Sequence, residues 1–142
     1  MSSYISAELR RLVRARAFER CEYCLIAAED TFAGCELDHI ISEKHGGATV
    51  LENLAYSCAA CNRCKGTDVG SIIQATGEFV RFFNPRTDNW HDHFALDGAR
   101  IESRTTVGQV TARILGFNVG DRIKERAILQ LAGVYPQKGS AG

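Results

Sequence analysis

One stretch decides the architecture of this chain: residues 21–65, CEYCLIAAEDTFAGCELDHIISEKHGGATVLENLAYSCAACNRCK. It begins with a Cys-x-x-Cys turn, Cys21 and Cys24, and a second such turn, Cys58 and Cys61, lies near its end. Each short turn can direct two sulfurs at one ion, and four thiolates form the closed tetrahedral site typical of structural zinc. A single Cys-x-x-Cys is weak evidence because redox motifs share it, whereas two in one small chain favour zinc. The sequence therefore predicts a zinc ion that joins distant segments.

The length and composition of the whole chain are those of one globular domain, with two small ones just possible. It has 142 residues, of which 45% are hydrophobic and 24% charged, which argues against wholesale disorder. Lys plus Arg number 17, equal to Asp plus Glu at 17. This balance excludes a protein that binds nucleic acid through bulk charge, so any basic surface must come from local segregation. We expect residues 1–70 to form the core and residues 71–142 an extension packed on it.

The cysteine usage and the absence of targeting signals favour a cytoplasmic protein. No run of about 18 apolar residues exists, so no membrane span is expected. The first twenty residues contain five Arg and two Glu and lack the apolar stretch of a secretory signal. In a reducing compartment the six Cys would bind metal or stay free rather than form disulfides. Cys35 and Cys64 fall outside the two turns and are expected to be buried or free thiols.

A helix with a basic surface precedes the first Cys-x-x-Cys turn. Residues 6–18 place apolar side chains at helical spacing, and Ser6 is a plausible N-cap. Two interpretations of the basic residues on this helix remain open: a solvated face, or a face that contacts phosphates. These basic residues are Arg10, Arg11, Arg14 and Arg16.

The remaining elements follow from short local signals. Residues 36–41 resemble a strand, residues 42–47 a glycine-containing loop with an exposed His45, and residues 62–65 the start of a helix. Residues 79–83 form a strand-like run, and Asp97-Gly98 is a strong hairpin signal. Residues 106–117 and 121–131 are predicted helices with Thr106 and Asp121 as N-caps, and Gly133 as a stop. Residues 137–142 are expected to be a frayed tail.

The pair His91 and His93 would share one face if it lay on a strand, and could then bind a metal. Metal sites need more ligands than two, so packing or surface roles are favoured.

Between the two Cys-x-x-Cys turns the sequence resembles the HNH endonuclease family. The matching segments are LDHI at residues 37–40, ENL at residues 52–54 and CAACNRCK at residues 58–65. The family motif has Asp-His, then Asn, then His or Asn, and the two Cys-x-x-Cys turns are those of its zinc-bearing subset. The third motif position is Asn62 rather than His, a change that the family tolerates. The resemblance implies an α+β fold: a ββα-metal core with an N-terminal helix, a structural zinc site, and a C-terminal hairpin and two helices.

The resemblance also implies roles for individual residues. His39 would be the general base, Asp38 and Asn62 the ligands of Mg²⁺ or another divalent ion, and Asn53 the residue that orients the base. General chemistry agrees, because histidine titrates near neutrality and hard divalent ions prefer oxygen ligands. Consecutive strand residues point to opposite faces, so Asp38 and His39 would need a local bend to serve one site. Glu36 shares a strand face with Asp38 and is either structural or an outer partner of the metal site.

Each of these residues also has an ordinary interpretation. Asp38-His39 alone would usually be a surface pair, Asn53 a turn former and Asn62 a helix N-cap. Lys65 is either a phosphate contact or a solvated charge.

Three functional hypotheses therefore remain. The leading one is a nuclease that hydrolyses DNA, binds it through Arg10, Arg14 and Lys65, and needs zinc and a divalent ion but no small-molecule cofactor. The second is a non-catalytic zinc-binding module that contacts nucleic acid or protein. The third, a thiol oxidoreductase, leaves the other metal-type residues unexplained. The sequence does not indicate the oligomeric state.

Overall fold

A computed structural model describes residues 4–136 of the chain. The tail expected at residues 137–142 lies outside the described residues.

The first helix, α1, spans Ala7–Arg16. Ser6 is its N-cap, as predicted, and its Oγ accepts a hydrogen bond from the amide of Leu9 at 3.1 Å. The helix ends earlier than expected because Phe18 and Glu19 adopt left-handed φ angles of 56° and 55°, which helical residues do not.

A ββα unit forms the centre of the segment that the sequence singled out. Strands β1, Cys35–His39, and β2, Leu54–Cys58, pair antiparallel with His39 opposite Leu54. Helix α2, Ala59–Lys65, follows β2 directly, and Cys58 is its N-cap. The mixed α+β architecture is therefore confirmed. All five residues of β2 are buried, and the sequence did not identify this strand because its run is too short.

Residues 70–136 form two further hairpins and three helices. The elements are β3, Gly70–Ile72; β4, Phe79–Arg81; α3, Trp90–His93; β5, Phe94–Asp97; β6, Arg100–Ser103; α4, Thr106–Ile114; and α5, Gly120–Leu131. Strands β3 and β4 pair with each other, as do β5 and β6. The β5–β6 turn contains Gly98 at φ 58°, so the hairpin expected at Asp97-Gly98 is confirmed.

Residues 90–93 form a helix, and so His91 and His93 do not share the face that a strand would give them. Two N-cap predictions in this half were wrong. The N-cap of α4 is Thr105, not Thr106. Helix α5 begins at Gly120, which places Asp121 inside its first turn rather than at the cap.

One hydrophobic cluster joins the two halves. It contains Tyr23 and the four cysteines of the Cys-x-x-Cys turns together with Phe83, Trp90, Phe94 and Phe117. The rings of Phe94 and Phe117 lie 5.5 Å apart, and the indole of Trp90 donates a hydrogen bond to the carbonyl of Tyr23 at 2.8 Å. Full burial of such an aromatic side chain stabilises the fold by about 1.5–3 kcal/mol. The second half therefore supports the cysteine turns of the first.

A smaller cluster packs α1 on the sheet. Val13 and Ala17 of the helix region contact Leu54 and Tyr56 of β2, and all four are buried. Within residues 4–136, no helix has the length and apolar character needed to cross a bilayer.

Candidate active site and metal centre

The four cysteines of the two Cys-x-x-Cys turns converge in the interior. The sulfurs of Cys21, Cys24, Cys58 and Cys61 lie within 4.8 Å of one another, and all four residues are buried. The Sγ atoms of Cys24 and Cys58 are 3.7 Å apart. Tetrahedral zinc with Zn–S bonds of about 2.3 Å requires an S–S separation of about 3.8 Å, whereas a disulfide requires about 2.05 Å. The cluster therefore fits a zinc ion.

Hydrogen-bond donors surround these sulfurs. The backbone amides of Tyr23 and Cys24 each donate to Cys21 Sγ at 3.4 Å. The guanidinium of Arg122, in α5, donates to Cys61 Sγ at 3.3 Å and to Cys58 Sγ at 3.6 Å. Amide donors and a cation favour negative charge on the sulfurs that they contact, and the thiolate is the form that binds metal. Burial acts in the opposite direction and raises the pKa of Cys21 and Cys61. Sequence reasoning missed Arg122, because nothing local links it to cysteines more than sixty residues earlier.

The other two cysteines do not join this cluster. Cys35 is half-buried and Cys64 exposed, and both are free. Burial raises the pKa of Cys35 to about 12, so its thiol stays protonated at neutral pH. The expectation of buried or free thiols is confirmed.

A separate cleft of about 310 Å³ opens beside the ββα unit. Its lining comes from the end of β1, the loop after it, and the end of α2. The lining residues are Leu37, Asp38, His39, Ser42, Glu43, Lys44, Asn62, Gly66 and Thr67. Three of the four residues that the motif singled out, Asp38, His39 and Asn62, thus border one cavity.

Asp38 lies at the base of this cleft and is only 5% exposed. Its Oδ2 accepts a hydrogen bond from the hydroxyl of Tyr23 at 2.8 Å. Burial raises the pKa of Asp38 above its usual value, although the charge of Lys65 and the bonds from Lys65 and Tyr23 act in the opposite direction. The Tyr23 contact was not foreseen, because the sequence analysis did not single out Tyr23.

Lys65 is directed inward. Its Nζ lies 3.2 Å from Asp38 Oδ1 and 3.1 Å from Oδ2, and donates to the carbonyl of His39 at 3.0 Å. The residue is 1% exposed, so the structure does not present it to solvent as a phosphate contact.

Asn62 lies within α2, across the cleft. Its Nδ2 donates to Glu36 Oε2 at 3.1 Å, which leaves the amide oxygen as the atom that can bind a cation. The N-cap of α2 is Cys58, so the interpretation of Asn62 as a cap was wrong. A carboxylate and an amide oxygen are hard donors of the kind that Mg²⁺ prefers, and the two residues fit a divalent ion.

His39 contacts the loop that follows β1. Its Nε2 lies 2.9 Å from Thr49 Oγ1 and 3.5 Å from Glu43 Oε1. Sequence reasoning did not single out Thr49 or Glu43. Glu43 follows His39 by four residues, but that spacing signals contact only in a helix, and no helix was predicted there.

Asn53 holds the same loop closed. Its Oδ1 accepts from the amide of Ile41, and its Nδ2 donates to the carbonyls of Ile41 and Ala48, each at 2.9 Å. The chain at residue 47 lies so close to the backbone of Ile41 that only glycine fits, because a Cβ there would lie 1.7 Å from the carbonyl oxygen of Ile41. Asn53 therefore acts on the backbone of the loop and not on the imidazole of His39 itself.

The arginines of α1 differ in their surroundings. Arg10 and Arg14 are exposed, and Arg14 pairs with Glu19 at 3.0 Å. Arg16 instead donates to the carbonyls of Leu51 and Leu54 at 2.9 and 2.6 Å, a structural role. Contacts of Arg10 and Arg14 with phosphates remain a prediction.

Comparison with protein-family models found one similarity. Residues 21–68 match the model of the HNH endonuclease family, about a third of the chain and the same part that carries the cysteine cluster and the cleft. The resemblance seen in the sequence is confirmed over this segment, and similarity to this family indicates a nuclease type of function. Comparisons with curated proteins and with solved structures gave no significant match.

Proposed function

We propose that this protein is a metal-dependent endonuclease that hydrolyses DNA phosphodiester bonds. The single observation that carries the proposal is the convergence of Asp38, His39 and Asn62 on one cleft. The match to the HNH endonuclease model over the same residues supports it.

The chemistry divides among these residues. Hydrolysis of a phosphodiester needs an activated water, in-line attack and neutralisation of the charge on the phosphate. We assign His39 as the general base that takes the proton from water, a role that histidine often has in enzymes. Asp38 and Asn62 would hold the divalent ion, which when bound neutralises charge on the phosphate and on the departing oxygen.

The remaining residues support this arrangement. The buried, ion-paired Lys65 fixes the carboxylate of Asp38, so we assign it that positioning role and leave the phosphate contacts to Arg10 and Arg14. Asn53 orients the base through the loop that it closes. Zinc on the four cysteines would stabilise the fold and take no part in the chemistry, because four thiolates leave no position for water.

Nicking of supercoiled plasmid in Mg²⁺ or Mn²⁺ tests the proposal. The wild type should nick, and His39→Ala should lower the rate about 10²–10⁴-fold, the usual contribution of a general base. His91→Ala is the matched control, because His91 is exposed and outside the cleft, and it should nick like the wild type. Zinc content and thermal stability should be the same in all three proteins.

Two results would overturn the proposal. Equal nicking by the wild type and His39→Ala would reject the proposed base. No nicking by the wild type with either ion would favour the non-catalytic zinc-binding module instead.

A further inference from the structure

The two ring nitrogens of His39 have different surroundings. Among the described residues, two polar contacts to the ring are found, and both are made at Nε2: Thr49 Oγ1 lies at 2.9 Å and Glu43 Oε1 at 3.5 Å. His39 borders the cleft, and its Nδ1 is the nitrogen left for a reacting water. A neutral imidazole carries one proton, and a base must have the nitrogen that faces its substrate unprotonated.

The chemistry of the two contacts selects one tautomer. A carboxylate only accepts hydrogen bonds, whereas a threonine hydroxyl can donate or accept. With the proton on Nε2, the ring donates to Thr49 and carries positive charge density toward Glu43. With the proton on Nδ1, the lone pair of Nε2 would face the carboxylate of Glu43, which is unfavourable.

We propose that Thr49, assisted by Glu43, is a positioning residue that holds His39 with its proton on Nε2, so that Nδ1 can accept the proton from water. The inference rests on the proposed function and names residues that the HNH motif does not contain. Partners that fix the tautomer and the ring orientation of a histidine are typical of active sites.

The loop explains how these two side chains reach the imidazole. Glu43 begins the 3-10 turn Glu43–His45, and Thr49 follows Ala48, whose carbonyl is held by Asn53. Asn53 therefore places Thr49 against His39 without touching the ring, and its effect on the base passes through the Thr49 hydroxyl.

The first test observes the tautomer itself. The zinc-loaded full chain is labelled with ¹⁵N and kept free of Mg²⁺ and Mn²⁺. Long-range ¹H–¹⁵N spectra are recorded at mildly alkaline pH, where imidazole is neutral. The signals of His39 are assigned by their loss in His39→Ala. We expect the proton on Nε2 in the wild type and in Thr49→Ser, and a shift toward a mixture in Thr49→Val.

The second test observes catalysis. Thr49→Val should lower kcat about 10–100-fold with little change in KM, as expected for loss of an outer partner of an active-site group. Thr49→Ser should restore the rate, and Glu43→Gln should lower kcat less than Thr49→Val. Thr31→Val and Glu29→Gln are the matched controls. Among residues 4–136 the Thr31 hydroxyl donates to the carbonyl of Ala28 and has no other hydrogen bond, and Glu29 is exposed.

The two tests separate this inference from the proposed function. A proton on Nδ1 in the wild type, or a Thr49→Val protein with unchanged tautomer and kcat, would overturn the inference. If the wild type carries the proton on Nε2 but nicks no DNA, the nuclease proposal fails while the tautomer assignment stands.

Discussion

Arg122 offers the sharpest test of how the second half supports the cysteine cluster. Its guanidinium donates to the carbonyl of Leu115 at 3.0 Å and to the sulfurs of Cys61 and Cys58 at 3.3 and 3.6 Å. The side chain is buried, and four thiolates around one Zn²⁺ carry a net charge of about −2. Arg122→Met would keep most of the volume and remove the only guanidinium that contacts these sulfurs among residues 4–136.

Removal of one partner from a buried charge pair costs about 3–5 kcal/mol, because the other charge is left without compensation. For a domain of this size each kcal/mol lowers Tm by about 2–4 °C. We therefore expect Arg122→Met to lower Tm by about 10 °C and to lose zinc to a chelator faster than the wild type. Thermal unfolding followed by circular dichroism, with zinc release followed by a chromogenic chelator, measures both effects.

Arg100→Met is the matched control. Arg100 pairs with Glu102 at 3.1 Å, and about half of each side chain is exposed, so its loss should cost less than about 1 kcal/mol. If Arg122→Met had the same Tm and the same rate of zinc release as Arg100→Met, the guanidinium of Arg122 would not stabilise the cluster and the prediction would be refuted.

Three further predictions concern metal, pH and backbone. Cys61→Ala should unfold the domain or abolish its zinc content, because structural zinc contributes folding free energy directly, whereas Cys64→Ser, at an exposed free thiol, should match the wild type in zinc content and Tm. Asp88→Asn should lower the free energy of unfolding by about 1 kcal/mol at neutral pH. Asp88 forms a salt bridge at 2.7 Å with the partly exposed Arg81. Burial alone would raise the pKa of Asp88, but this salt bridge helps to hold it below its usual value. A carboxyl with a depressed folded pKa stabilises the fold above its unfolded pKa of about 3.9 and loses that contribution as the pH falls through the folded value. Urea titrations of the two proteins should therefore converge once the pH is below the folded pKa of Asp88; a difference that persists there would contradict the assignment. Gly47→Ala should lower the free energy of unfolding by more than about 2 kcal/mol, because its Cβ would overlap the carbonyl of Ile41. The Cβ of Gly120→Ala would meet nothing within 4 Å, so this variant should be neutral or more stable by up to about 1 kcal/mol. Equal urea midpoints for the two alanine variants would refute the predicted clash.

Local signals in the sequence predicted much of the fold. Residues close together in the chain form the Ser6 cap and the Asp97-Gly98 turn, and both are confirmed. The two Cys-x-x-Cys spacings are also local, and the predicted convergence of the four cysteines is confirmed. The division between residues 1–70 and 71–142 stays a prediction.

The strands that the sequence missed depend on their partners. Strands β2 and β3 are short, and pairing with another segment rather than their own pattern makes them strands. Strand β4, Phe79–Arg81, lies within the strand-like run predicted at residues 79–83. The stretch with His91 and His93 forms a helical turn because Asn89 caps it and accepts a hydrogen bond from the amide of His91.

In the candidate site, the motif identified some residues and the fold added contacts that the sequence did not predict. The motif singled out Asp38, His39 and Asn62, which border one cleft. The contacts of Tyr23 and Lys65 with Asp38 arise only when the fold joins segments 15 and 27 residues apart. No residue pattern in the sequence predicts such contacts. They show that the charges of Asp38 and Lys65 are already paired with each other.

The location of a bound divalent ion tests the central claim most directly. Crystals of the zinc-loaded protein soaked in Mn²⁺ and measured by anomalous scattering should show manganese bonded to a carboxylate oxygen of Asp38 and the amide oxygen of Asn62, beside the ring of His39. Manganese bound only elsewhere, with none at Asp38 and Asn62, would contradict the account.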